Sequence, residues 1–174
     1  MAVTQQLARV EARYLAAFRT SAGASRDGNP RWDPPSADIL DLDWAPALLE
    51  RVCDLADLDP VHLNALRQAT TGDTTIDLDF LNAPPHAIAP FGPPPTALSV
   101  EQVTLVARLL GQIDMPAILA GLPADDTEAA SLIGHGADEI VGGPNKYLLR
   151  HFHALRDFYL DAARRHLLIV LWWD

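Results

Sequence analysis

The strongest constraint on the fold lies near the C-terminus, where residues 167–173 read Leu-Leu-Ile-Val-Leu-Trp-Trp without a polar interruption. Such a run is typical of a strand that is buried on both faces of a sheet. Residues 147–163 precede it and carry apolar side chains at steps of three and four, which predicts an amphipathic helix. The face that this helix should pack comprises Leu148, Phe152, Leu155, Tyr159 and Ala162. The sequence therefore predicts a long helix followed by an interior strand.

Composition limits the class of protein. A chain of 174 residues is expected to form one domain, residues 1–174, with its own core. The single cysteine, Cys53, excludes an intramolecular disulfide and a cysteine-based zinc site, and its apolar neighbours predict a buried, inert thiol. We find no secretion signal and no apolar run near the roughly 20 residues of a membrane helix, so we expect a cytoplasmic protein without membrane contact.

The formal net charge of −10 argues against nucleic acid as a ligand, because phosphate binding needs clustered Lys and Arg. Many of the acidic residues crowd residues 27–59, where the aspartates are Asp27, Asp33, Asp38, Asp41, Asp43, Asp54, Asp57 and Asp59. The favoured interpretation is a face that keeps molecules soluble. The alternative is a surface that attracts a basic protein partner.

The N-terminal part predicts a strand at about residues 2–8 and a helix at 11–19. Residues 20–37 then predict a loop, because they contain Gly23, Gly28, Pro30, Pro34 and Pro35. Trp32 lies within this loop. Its large side chain is expected to pin the loop onto the domain, or else to line a ligand groove.

Cap residues predict the helices that follow. Asp43 with Pro46, Asp59 with Pro60, and Asp114 with Pro116 each combine a cap with a first-turn proline. Ser99 and Gln102 form a capping box for another helix that ends at Gly111, and residues 123–133 add one more. In residues 74–81, apolar and acidic side chains alternate, which favours an exposed strand, with a last helical turn as the alternative. The six prolines of residues 83–95 predict an extended segment. The predicted class is α+β, mainly helical, with a small sheet that includes the N-terminal and C-terminal strands.

Residues 134–139 have the best content for catalysis. His135 lies between Gly134 and Gly136 and is followed by Asp138 and Glu139, which together supply an imidazole and two carboxylates. The favoured alternative is a turn residue whose ring covers a helix end, since no Gly-x-Ser-x-Gly or Cys–His pairing supplies a nucleophile.

The segment that precedes the final helix offers a second kind of site. The amides of Gly142 and Gly143, with Lys146, are candidates for holding an anion, although the spacing differs from that of a nucleotide-binding phosphate loop. His151 and His153 point to nearly opposite sides of their helix and cannot share a metal ion. The sequence predicts no metal site and no cofactor.

The C-terminal pattern also matches a family. That family has Tyr-Leu, then Phe-x-x-Leu-Arg-x-Phe-Tyr, Ala-Ala and an apolar strand ending in Trp, which correspond here to Tyr147-Leu148, Phe152, Leu155-Arg156, Phe158-Tyr159, Ala162-Ala163 and residues 168–172. Residues 98–103 match its Leu-Thr-x-Glu-x-Val helix start, and residues 3–18 and 40–49 match its opening elements. On these residues the chain resembles the YfbM-like bacterial proteins, domain of unknown function 1877, over nearly its whole length.

The resemblance implies an α+β fold in a bacterial, cytoplasmic protein of uncharacterised function, and it assigns no catalytic residue. The chain has Thr96-Ala97 where the family has Arg-Tyr, and residues 134–143 replace a Tyr-Pro…Trp segment. Because no catalytic constellation is recognisable, we expect a non-enzymatic binding or interaction protein, of an immunity or regulatory type. The alternative is a small-molecule hydrolase or transferase that uses the 134–146 loop.

Overall fold

The computed structural model describes residues 3–24, 31–90 and 92–174 and shows an α+β fold that is mainly helical. Its strands are β1 (Gln5–Val10), β2 (Ile39–Asp43), β3 (Thr96–Leu98) and β4 (Leu168–Trp173). Its helices are α1 (Ala12–Ala24), α2 (Ala45–Leu55), α3 (Pro60–Thr71), α4 (Val100–Leu110), α5 (Met115–Ala120), α6 (Asp126–Ile133) and α7 (Pro144–Arg164). None of these helices is both long enough and apolar enough to cross a bilayer.

The four strands form one antiparallel sheet in the order β2-β1-β4-β3. The strand β4 therefore lies inside the sheet, between β1 and β3, and the predicted interior strand at the C-terminal end is confirmed. Its side chains alternate between the two faces, as strand geometry requires. One hydrophobic core lies on each face of the sheet. Ile169 and Leu171 face the larger, main core, whereas Leu168, Val170 and Trp172 face the second core.

The main core is packed by α2 to α7 on one face of the sheet. The predicted face of α7 is confirmed, because each of its five residues is fully buried: Leu148, Phe152, Leu155, Tyr159 and Ala162. Cys53 of α2 is also buried in this core, and burial raises the pKa of its thiol to about 12. Such a thiol is poorly ionised and inaccessible, as the sequence predicts.

The opposite face is covered by α1 and by irregular segments. Phe18 of α1 packs against Trp32, with ring centroids 5.5 Å apart, and Trp32 packs in turn against Trp172 of β4 at 6.4 Å. Trp32 thus pins its segment onto the sheet. The predicted loop of residues 20–37 starts later than expected, since α1 extends to Ala24. Gly28 and Pro30 lie outside the described residues.

The predicted cap at Asp43 is wrong. Residues 39–43 form β2, because Ile39 and Leu40 pair with Ala8 and Leu7 of β1, and the cap position of α2 passes to Trp44. The predicted opening strand is shifted as well: β1 begins at Gln5 and continues to Val10. Ala2, with which the prediction began, lies outside the described residues.

The favoured strand at residues 74–81 is also wrong. The segment forms a turn and one short 3₁₀ helix, Asp79–Leu81, whose start is fixed by a hydrogen bond from the Asp79 amide to the Asp77 carboxylate at 3.0 Å. The remaining caps are confirmed. Asp59 and Asp114 each accept backbone amides of their helices, and Ser99 and Gln102 complete both bonds of the capping box. Within the helix predicted at residues 123–133, the structure places the cap of α6 at Asp125.

Three carbonyls at the end of α3 are capped from elsewhere in the fold. The last carbonyls of a helix have no partner within it. Here Ala69 accepts from the Tyr159 hydroxyl at 2.9 Å, Thr70 accepts from the Gln5 side chain, and Thr71 accepts from the Thr96 hydroxyl at 2.7 Å. The donors come from α7, β1 and β3, so this helix end joins three parts of the chain.

Candidate functional site

The most site-like cavity lies between the loop that follows α6 and the turn that joins β2 to α2. It has a volume of about 290 Å³. We call it the His135 groove; it is lined by Asp43, Trp44, Leu48, His135, Gly136, Glu139, Ile140, Val141 and Tyr147. Elements far apart in sequence therefore meet here.

One wall is formed by the loop after α6. Its backbone turns sharply, because Gly134, His135 and Gly136 all have positive φ, with a value of 54° for His135. One 3₁₀ turn, Ala137–Glu139, follows, and the buried Ala137 side chain anchors it. This local path carries the side chains of His135 and Glu139 to the same side of the loop.

The other wall is the end of β2. Asp43 has a φ of 53°, and it is followed by Trp44, whose side chain is 51% exposed. The Trp44 indole is nevertheless held in place, because its Nε1–H donates to the Val3 carbonyl at 3.2 Å. Positive φ is uncommon for residues other than glycine and concentrates at functional sites. Asp43 and His135 both have it and both line this groove.

Tyr147, from the first turn of α7, connects Asp43 and Trp44 of this wall through hydrogen bonds. Its hydroxyl donates to Asp43 Oδ2 at 3.1 Å and accepts from the Trp44 amide at 3.3 Å. Burial, and then the hydrogen bond to Asp43, raise the pKa of Tyr147 to about 12. The phenol is therefore protonated at neutral pH and remains a donor to the carboxylate.

Behind Tyr147 lies His151, one helical turn along α7. The two rings are 4.3 Å apart between centroids, and His151 is only 8% exposed. Burial, and then the nearby Arg150 guanidinium, lower the pKa of His151. Its Nε2 lies 3.1 Å from Arg150 Nη2, so the neutral ring accepts a hydrogen bond from the guanidinium. This histidine supports Tyr147 and does not face the groove.

The structure brings together only part of the predicted catalytic set. His135 and Glu139 share the groove, but His135 makes no hydrogen bond or ion pair with any described residue. Asp138 is exposed and does not line the groove. Among the described residues, His135 therefore has no carboxylate that orients its ring.

The predicted anion site is also dispersed. The Gly143 amide donates to the Ile140 carbonyl at 3.4 Å, and the Asp126 carboxylate lies against the Gly143 Cα, where a Cβ atom would come within 2.6 Å of Oδ2. That negative charge opposes the binding of an anion. Gly142 and Lys146 are exposed outside the groove. Trp32 packs against the second core and lines a different cavity, of about 430 Å³, and not the His135 groove.

A larger cavity of about 610 Å³ is lined by Arg9 and Arg165, but their charges are already compensated. Arg9 contacts Asp38 at 2.7 Å and Asp161 at 3.0 Å, and Arg165 contacts the same two carboxylates at 2.7 and 3.1 Å. This closed ring of ion pairs joins β1 to the end of α7 and has a structural role. Across residues 3–24, 31–90 and 92–174, no three His, Cys, Asp or Glu side chains are arranged to hold a metal ion.

Comparison with solved structures places the fold. The chain is similar to the crystal structure of YfbM from Escherichia coli, described as a protein of unknown function, with a TM-score of 0.55 and 13% sequence identity over 97% of this chain and 98% of that one. The fold is YfbM-like. No family model and no curated protein matches the sequence. At this identity the likeness concerns the fold alone.

The sequence reveals only part of the His135 groove. Its content points to His135 and Glu139, whereas it indicates a helix start for Asp43 and a family pattern for Trp44 and Tyr147. Trp44 and Tyr147 are 103 positions apart and meet only in the folded chain. Asp43 could have been recognised as a groove residue only from the pairing of residues 39–43 with β1.

Proposed function

We propose that this protein is a non-enzymatic binding protein whose His135 groove receives a basic side chain, preferably arginine, from a protein partner. The observation that carries the proposal is the pairing of two carboxylates, Asp43 and Glu139, with the exposed indole of Trp44 around one groove. No Lys or Arg is among the described residues that line it. A guanidinium group is the cation that suits such a site.

The free acceptors of the groove support this choice of ligand. Asp43 uses Oδ2 to accept from Tyr147, and within the described part of the chain Oδ1 has no partner. The Glu139 carboxylate has no hydrogen bond or ion pair with another described residue, and only its backbone amide is engaged, by the Gly136 carbonyl at 3.0 Å. An incoming guanidinium would find unpaired carboxylate oxygens on both walls, which permits charge-assisted hydrogen bonds from both sides.

The rim of the groove favours a protein over a free small molecule. Trp44 is 51% exposed and Val141 is 100% exposed, so two large apolar side chains flank the carboxylates. An aromatic residue beside a charged pocket is typical of the energetic centre of protein interfaces. Trp44 can also contact the guanidinium through its ring face, an interaction of about 0.5–1 kcal/mol at exposed sites.

The charge of the whole chain supports a basic partner. A net charge of −10 attracts a basic protein at long range and accelerates its association at low salt. A partner that is neutralised or regulated by this contact gives the protein an immunity-type or regulatory role. We also infer from the resemblance that the chain is a member of domain-of-unknown-function family 1877, and that it is bacterial and cytoplasmic.

The hydrolase or transferase alternative has less support. It requires His135, Asp138, Glu139 and Lys146 to converge, and only His135 and Glu139 share the groove.

The proposal is tested by affinity capture from the native host with matched variants. The test variant combines Asp43→Asn with Glu139→Gln, where asparagine tolerates the left-handed φ of Asp43. The control is Asp138→Asn, which removes a charge from the same loop outside the groove. We expect a basic protein to be retained by the wild type and the control and lost from the double variant. Equal retention by all three, or no retained protein over several salt concentrations, would contradict the proposal.

A further inference from the structure

A second cavity, of about 290 Å³, lies at the C-terminal end of α3 and shares no lining residue with the His135 groove. We call it the Gln5 cavity; its polar wall consists of Gln5, Glu50, Thr70, Thr71 and Thr96. Most side chains of this wall offer a ligand a hydrogen-bond acceptor.

The three threonine hydroxyls of the wall have already used their hydrogens. Thr70 donates to the carbonyls of its own helix at 3.1 and 3.2 Å, Thr71 donates to Arg67 at 2.8 Å, and Thr96 donates to Thr71 at 2.7 Å. A hydroxyl has a single hydrogen, so each oxygen can only accept a hydrogen bond from a ligand. The position of Thr96 is fixed by Gly72, where a Cβ atom would come within 2.5 Å of its hydroxyl oxygen.

Gln5 and Glu50 add two stronger acceptors. The Gln5 side chain is 1% exposed, and its amide NH₂ donates to the Thr70 carbonyl, while its buried Oε1 has no hydrogen-bond partner. An unpaired buried acceptor is unfavourable, so a donor supplied nearby is stabilising. Glu50 accepts from Arg67 through Oε1 at 2.6 Å, and Oε2 has no partner in the described part of the chain.

Two further features favour a positive charge. The cavity lies at the C-terminus of α3, where the helix dipole places partial negative charge. No Lys, Arg or His is among the described residues that line it. Of the described lining residues, only Glu50 is charged. Its ion pair with Arg67 joins two half-exposed side chains and is weak enough for Glu50 to accept a second donor.

The remaining wall is apolar. It includes Pro93, Pro94 and the partly exposed Trp173. We propose that the Gln5 cavity binds a small organic amine in its ammonium form, with the ammonium directed to Gln5 and Glu50 and the hydrocarbon part against the prolines and Trp173. The volume suits a ligand smaller than a typical drug molecule. This site is independent of the His135 groove and of the function proposed for it.

Benzylamine is the probe for this proposal, with benzyl alcohol and benzoate as the neutral and anionic controls. Binding is followed by the NMR signal of the Trp173 indole N–H in the full-length protein. We expect a saturable shift with benzylamine at a Kd of about 1 mM, and none with the two controls. A shift of equal size with benzyl alcohol, or no saturable shift because the cavity takes only water, would overturn the proposal.

Two variants locate the binding. Glu50→Gln should weaken benzylamine about tenfold, because it removes the only charge in the wall, whereas Glu128→Gln on α6 should leave the Kd unchanged. Gln5→Leu should also weaken binding; if it fails to fold, as a melting curve would show, Thr96→Val tests the same wall. Undiminished binding by Glu50→Gln would place benzylamine elsewhere and refute the assignment.

Discussion

The hydrogen bond from Tyr159 to the end of α3 gives the sharpest stability prediction. Tyr159 is fully buried, and its hydroxyl donates to the Ala69 carbonyl at 2.9 Å. Replacing Tyr159 with phenylalanine keeps the ring in the core and leaves the carbonyl without this donor in a region closed to water. Loss of one partner of a buried hydrogen bond is destabilising by about 1–3 kcal/mol.

This loss should be visible in both chemical and thermal unfolding. For a chain of this size, each 1 kcal/mol shifts the melting temperature by about 2–4 °C, so Tyr159→Phe should melt about 2–12 °C below the wild type. Urea unfolding should show a lower midpoint at an unchanged m-value. Tyr14→Phe is the matched control, because Tyr14 is 36% exposed and its hydroxyl has no hydrogen bond to a described residue.

We expect Tyr14→Phe to change the free energy of unfolding by less than about 0.5 kcal/mol. If Tyr159→Phe were no less stable than Tyr14→Phe, the Ala69 carbonyl would not depend on the phenol. Capping of the α3 end by α7 would then be refuted.

Three other predictions concern the sheet, a histidine and the cysteine. Deleting residues 171–174 removes half of β4 and should abolish cooperative unfolding; a sharp melt near the wild-type temperature would contradict this. The hydrogen bond to Gln112, and then the contact with Asp59, raise the pKa of His62 in the folded protein. Protonated His62 therefore stabilises the fold fully below pH ~6.5, and this stabilisation is lost as the pH rises through the raised pKa. Wild type and His62→Gln should therefore differ more in urea unfolding at pH 5.5 than at pH 9. Cys53 should react with a thiol reagent only after unfolding; native-state reaction at the rate of a free thiol would disprove its burial.

The features best predicted from the sequence are those that depend on residues close together in the chain. The caps at Asp59, Ser99 and Asp114 are satisfied by amides two or three positions away, so the chemistry that starts these helices is visible in a short window. The amphipathic face of α7 and the double-faced burial of β4 follow from periodicity for the same reason.

The sequence failed where pairing decides the structure. Residues 39–43 become a strand because β1 lies beside them, and the three residues of β3 become a strand because Leu98 and Thr96 pair with Ile169 and Leu171 of β4. Neither segment is long enough to show its own period. For a related reason, the sequence indicates the His135 wall of the groove but not the Asp43 wall, because Asp43 is positioned by β2 and by Tyr147 of α7.

The central claim is that the His135 groove recognises an arginine side chain, and one titration tests it directly. N-acetyl-arginine amide is added to the labelled protein while the indole N–H of Trp44 is followed by NMR. We expect a saturable shift in the wild type and in Asp138→Asn, and none in the variant that combines Asp43→Asn with Glu139→Gln. The same shift in all three proteins, or no shift of Trp44 at saturating ligand, would contradict it.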